Sequence, residues 1–156
     1  LGVVFKWHDS SSYVTTVTEA YREEMLTSIP KSLFISISNL ERDLRDIGIE
    51  PILPQIDVEL ESAGTVSVRI PLEQFMPTPP QIYTQYARIA WFDPIMRKGK
   101  YEDAAEPVFQ SYILPLDTFR NQDPDFQPGK ITQVTLHFSG GPGKVMIDEI
   151  GFNILN

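Results

Sequence analysis

Hydrophobic and polar residues alternate with a period of two along most of the chain. The cleanest stretch is Ser32–Ser38 (SLFISIS), with Leu33, Ile35 and Ile37 on one side and Ser32, Ser36 and Ser38 among the residues on the other. That is the pattern of a half-buried strand. Residues 56–61 repeat it, with Ile56, Val58 and Leu60 inward and Asp57, Glu59 and Glu61 outward. A tight turn at 62–64 leads back into Val66, Val68 and Ile70, so residues 56–70 predict a hairpin. Val134, Leu136 and Phe138 define a further inward face, opposite Thr135 and His137. In the last stretch Val145 and Ile147 keep one parity while Ile150 and Phe152 keep the other. The break predicts a bulge around Asp148 and Glu149.

The remaining segments fill in the outline. Residues 3–8 predict a first strand, 9–12 a turn, and 13–17 its hairpin partner. Residues 19–29 predict a short helix or an irregular crossing, ended by Pro30. The charged run 41–46 reads as a solvated loop or one helical turn. Residues 75–80 contain three prolines and cannot sit inside a sheet. Residues 82–92 read as a β segment, and 93–106 as a long polar excursion of the kind that carries function. One phrase occurs twice: VSVRIPLEQF at 66–75 and FQSYILPLDTF at 109–119. Each copy ends an alternating stretch with Pro-Leu, an acid, a variable residue and Phe, which suggests equivalent corners. About eight or nine strands with one short helix predict an all-β sandwich of two antiparallel sheets.

Composition narrows the function. At 156 residues the chain suits one domain, residues 1–156, with a sizeable core. The 13 prolines and 9 glycines fit many turns. A net charge of −8 with no Lys/Arg cluster repels a phosphate backbone and an anionic membrane. No apolar run is long enough for a membrane span, and no signal peptide is visible. The chain opens on Leu1 instead of Met, which points to a removed upstream segment. Absence of cysteine excludes disulfides and thiolate metal sites.

Catalytic motifs are missing. GGPGK at 140–144 lacks the Ser/Thr and the following helix of a phosphate loop, and there is no G-x-S-x-G elbow. His8 and His137 are unrelated in spacing, and His137 reads as a strand-face histidine with a hydrogen bond. Asp57, Glu59 and Glu61 line one strand face and read as a solvated outer face, with a carboxylate-dependent glycosidase as the minor alternative. The expected bulge offers a cation site, since Ca²⁺ takes six to eight oxygens and a bulge presents carbonyls beside carboxylates. Asp148 and Glu149 would supply it, with Glu19 and Glu23 reaching in from the early crossing. Sugar binding needs flat aromatic faces with polar groups beside them. Trp91, Phe92 and Tyr101 flank the polar excursion, Tyr83 and Tyr86 precede it, and Trp7 and Tyr13 lie at the start.

Four segments, SLFISISNLE (32–41), IDVELESAGTVSVRIPL (56–72), EPVFQSYILPLDTF (106–119) and ITQVTLHFSGGPGKVMIDEIGF (131–152), carry a family resemblance. They resemble the galactose-binding-like jelly rolls, a group that includes carbohydrate-binding modules. The chain looks most like the C-terminal accessory domain that follows α/β-hydrolase domains in exported bacterial enzymes. The resemblance implies a jelly roll and a structural Ca²⁺ near the first and last strands, with Asp148 as the matching acidic ligand. It also implies a glycan site built from Tyr86, Arg88, Trp91, Asp93 and Tyr101. The expected protein is therefore a non-catalytic carbohydrate-binding or accessory domain, extracellular or periplasmic, joined to a companion catalytic domain. It is expected to bind neither nucleic acid nor membrane. The second reading is a structural or protein-interaction sandwich with no ligand of its own.

Overall fold

Period-two alternation places the strands, and the computed structural model describes residues 2–41, 48–50, 53–83 and 105–154. In chain order the elements are β1 (Val3–Trp7), β2 (Ser11–Thr16), α1 (Glu19–Thr27), β3 (Ser32–Asn39), β4 (Gln55–Ser62), β5 (Val66–Pro71), β6 (Ile82–Tyr83), β7 (Ala105–Glu106), β8 (Gln110–Pro115), α2 (Leu116–Gln122), β9 (Ile131–Ser139) and β10 (Gly143–Asn153). One antiparallel sheet has the order β1-β10-β3-β8 and the other β2-β9-β4-β5, while β6 and β7 form a separate short ladder. Successive strands mostly change sheet, so the chain wraps around the interior as in a jelly roll.

Between the sheets lies the predicted core. Leu33, Ile35 and Ile37 of β3 are fully buried, as are Val58 and Leu60 of β4, Ile70 of β5 and Leu136 of β9. Each such side chain contributes about 1.5–3 kcal/mol relative to exposure. At one end the core is aromatic. Trp7 stacks on Phe138 at 4.8 Å between ring centroids, and Phe5 packs against both Phe138 and Tyr13. Trp7 is 4% exposed and, among the described residues, its Nε1 meets no acceptor, so the ring serves packing. Gly143 makes that packing fit: a Cβ there would lie 2.3 Å from Trp7 Cζ2.

The bulge is where the parity break requires it. Ile147 pairs with Ile37 and Glu149 with Ser36, so Asp148 is the extra residue. The shift returns Ile150 opposite Ile35 and Phe152 opposite Leu33, on the inner side of the sheet. The β4–β5 hairpin also forms, with Val58 opposite Ile70 and Leu60 opposite Val68. Ala63 at φ 55° and Gly64 at φ 72° give its turn two consecutive positive φ values, a conformation that glycine adopts without strain.

The repeated Pro-Leu phrase marks two matching corners. Pro71 (φ −64°, ψ 131°) ends β5, the outer strand of one sheet, and leads into a 3₁₀ turn at Leu72–Gln74. Pro115 (φ −61°, ψ 129°) ends β8, the last strand in the described order of the other, and leads into α2. Leu72, Leu116 and Phe119 turn inward and are buried, and Phe75 is half-buried. Among the described residues each of these strands has a neighbour on one side only, and proline is tolerated at such a position.

One expected pairing does not form. β1 and β2 are consecutive but belong to different sheets, β1 pairing with β10 and β2 with β9. The Phe5–Tyr13 contact explains the choice, since both strands have apolar sides to bury and do so by facing each other across the sandwich. The expected loop at 42–46 and most of the β segment and excursion at 84–104 lie outside the described residues.

Gly143→Ala should therefore lower the free energy of unfolding by about 1–3 kcal/mol in urea denaturation, through overpacking against Trp7. Gly151→Ala in the same strand meets nothing within 4 Å among the described residues and should stay within about 0.5 kcal/mol of the parent.

Candidate functional site

The outer face of the β2-β9-β4-β5 sheet carries an ordered polar network. Alternation sends Asp57, Glu59 and Glu61 of β4 to this face, where each is half-buried. Register then decides their neighbours. Glu59 lies opposite Arg69 on β5 and Thr135 on β9, with Ser67 and His137 on the diagonals. Both diagonal groups bond it: Ser67 Oγ donates to Oε1, and His137 Nε2 lies 2.5 Å from Oε2. Asp57 Oδ2 accepts from Arg69 Nε at 2.8 Å and Nη2 at 2.7 Å. Glu61 Oε1 accepts from Thr132 Oγ1 at 3.1 Å. Gln133 Nε2 donates to Thr135 Oγ1 at 3.1 Å, a bond that holds two more groups of β9 in place.

Hydrogen bonding sets the electrostatics of this row. The Ser67 hydroxyl holds the Glu59 carboxyl below its ordinary value of 4.5, burial works against this, and the His137 bond and the charges of His137 and Arg69 add to the lowering. Glu59 is thus kept as a carboxylate, the opposite of the raised acid a glycosidase needs. His137 takes the strand-face role expected for it. Sequence patterning identifies the outward acids but not their partners. Ser67 and Arg69 become partners only through the register of the hairpin, and His137 only through the β4–β9 pairing.

The other expected residues divide into two groups. Tyr86, Arg88, Trp91, Asp93 and Tyr101 lie outside the described residues. The short β6–β7 ladder, with Ile82 opposite Glu106 and Tyr83 opposite Ala105, joins the two ends of the stretch that contains them. Trp7 and Tyr13 are not a platform, because Trp7 is buried and Tyr13 is half-buried against Phe5. Of the expected cation ligands, Asp148 and Glu149 stand side by side and exposed at the bulge. Glu19 lies instead on the first turn of α1 beside Arg22, Ala63 and Thr132. Among the described residues no three His, Asp or Glu side chains cluster as metal ligands do. The two bulge carboxylates by themselves do not fit a site of six to eight oxygens.

No family model matches the sequence, and no curated protein is similar enough to count as a match. Among solved structures, the chain is similar to the crystal structure of a family 30 carbohydrate-binding module. The similarity covers 97% of this chain and 76% of that one, with a TM-score of 0.52 and 9% identity. At that identity the likeness is one of fold, and it agrees with the two-sheet all-β sandwich. Among the described residues no helix is long and apolar enough to cross a membrane.

A lowered Glu59 pKa contributes stability that is present above the ordinary carboxylate value and is lost as pH falls through the folded-state value. Glu59→Gln should cost about 1 kcal/mol at neutral pH. In urea denaturation from pH 7 to pH 3, its deficit relative to the parent should shrink once the pH drops below 4.5.

Proposed function

We propose that this chain is a non-catalytic carbohydrate-binding module. The observation that carries the reading is the immobilised polar row on one sheet face: Arg69 on Asp57, then Ser67 and His137 on Glu59. A sugar presents hydroxyls that both donate and accept, and a face of fixed carboxylates, hydroxyls and a guanidinium can match them without first ordering its own side chains. The likeness of the sandwich to a carbohydrate-binding module over nearly its whole length supports the same reading. The outward positions of this face, from Ser12, Val14 and Thr16 across to Ser67 and Arg69, include no aromatic residue. Stacking on apolar sugar faces is therefore assigned to Tyr86, Trp91 and Tyr101, with Arg88 and Asp93 bonding hydroxyls. An accessory role beside a companion catalytic domain, in an exported protein, belongs to the same proposal.

Isothermal titration of the purified chain against a panel of soluble polysaccharides tests it. Saturating heat with at least one glycan is expected, lost in Trp91→Ala and weakened about tenfold in Arg69→Ala, equivalent to about 1.4 kcal/mol. Absence of heat with every glycan, from protein that still melts cooperatively, would replace this reading with a structural sandwich that has no ligand of its own.

A further inference from the structure

A second surface lies beside α1. Where α1 meets the segment after α2, a cleft of about 640 Å³ opens. Its floor is fixed, since Met25 is 0%, Leu116 1% and Phe126 1% exposed. Its aliphatic lining includes Leu26, Ile29, Pro30, Pro124 and Pro128. A smaller hollow of about 350 Å³ shares Leu26, Gly129 and Lys130 with it, so the two are continuous. Leu26 and Ile29 are 62% and 63% exposed. Leu26 sits in the last turn of α1 and Ile29 just beyond its extended C-cap, Ser28.

Charge around this groove runs against the rest of the molecule. The chain carries −8 overall, yet Arg22, Lys31, Arg120 and Lys130 all line the groove. The other described cations are Lys6, Lys144 and Arg69, and Arg69 is bound to Asp57. Among the described residues, none of the four groove cations forms an ion pair, although Glu19, Glu23 and Asp117 are in the same lining. Arg120 complements the C-terminal turn of α2, whereas α1 has no basic residue in its last turn. Long cationic stems can shield apolar surface, but here Leu26 and Ile29 stay open to solvent.

We propose that this groove docks an acidic peptide segment of a partner protein. Aliphatic side chains of that segment would seat against Leu26, Ile29 and the prolines, and its carboxylates would face Lys31, Arg120, Lys130 and Arg22. Charge complementarity selects this occupant. Unpaired cations in an acidic molecule attract an anionic partner and steer its approach. The lining selects peptide over sugar, because sugar recognition uses flat aromatic faces and the one aromatic side chain among the described lining residues, Phe126, is buried. Apolar anchors flanked by charge are how peptide grooves gain both affinity and direction. The hollow reaches the polar row only at Thr132, which bonds Glu61, whereas Leu26 and Arg120 line the groove outside that row, so variants at these two positions test the groove apart from glycan binding.

Selection from a random peptide library displayed on phage, against the immobilised whole chain at low salt, tests the inference. Enriched sequences should combine Asp or Glu with Leu, Ile, Val or Phe. A synthetic peptide of the leading sequence should bind in titration, lose affinity as salt rises, and bind about tenfold more weakly to Leu26→Asp and to Arg120→Glu. Both positions are exposed, and an unchanged melting temperature checks that each variant folds. The same variants should leave any glycan heat unaltered. No enrichment, enrichment without acidic residues, or variants that bind the peptide as tightly as the parent would overturn the proposal. So would oligogalacturonate binding, or salt-sensitive self-association, that these variants abolish while no peptide is enriched. Those two results would assign the groove to an acidic glycan or to a second copy of the chain.

Discussion

Leu33, Ile35 and Ile37 of one sheet and Val134, Leu136 and Phe138 of the other are buried in a single core, and the rest of the molecule is arranged around that shared interior. Each set belongs to a strand flanked on both sides within its sheet. A strand of period two has one inner side only, so burying these residues fixes which residues face out. The polar row on β4, β5 and β9 is the reverse side of this decision. Asp57, Glu59 and Glu61 share a face because Ile56, Val58 and Leu60 had to share the other.

Keeping that interior intact over eleven residues of β10 required a local departure from regularity. Val145 and Ile147 enter the core from one parity. The extra residue at Asp148 lets Ile150 and Phe152 return to it. Gly143 does comparable service at the start of the same strand, where the absence of a side chain lets Trp7 lie flat. Both irregularities serve packing, and both fall on the strand that lies between β1 and β3.

The alternation of residues 32–38, 56–70 and 134–138 was enough to read the strands, the hairpin and the inward sets, because local sequence controls them. The bulge was legible for the same reason. Partner choice was less accessible. Residues 3–17 look like a hairpin when only their strand character is considered, and they separate into two sheets because of contacts with β9 and β10, which are far along the chain. The site divides similarly. His137 and the three acids could be placed on outer faces, but the bonds from Ser67 and His137 to Glu59 are diagonal contacts between strands, which no linear pattern encodes. The groove beside α1 was not legible at all. It is made by Leu26, Lys31, Arg120 and Lys130, residues brought together only when the segments around α1 and α2 meet.

The Pro-Leu corners bear on how the molecule behaves among its own copies. An open sheet edge offers free backbone donors and acceptors, and such edges recruit further strands into aggregates. β5 and β8, at corresponding ends of the two sheet orders, both stop at a proline, after which the chain turns inward. A neighbouring molecule that began to pair along either strand would run out of ladder at that residue. The repeated phrase thus serves as a pair of stoppers against intermolecular sheet growth, a colloidal benefit gained from the same residues that cap the core.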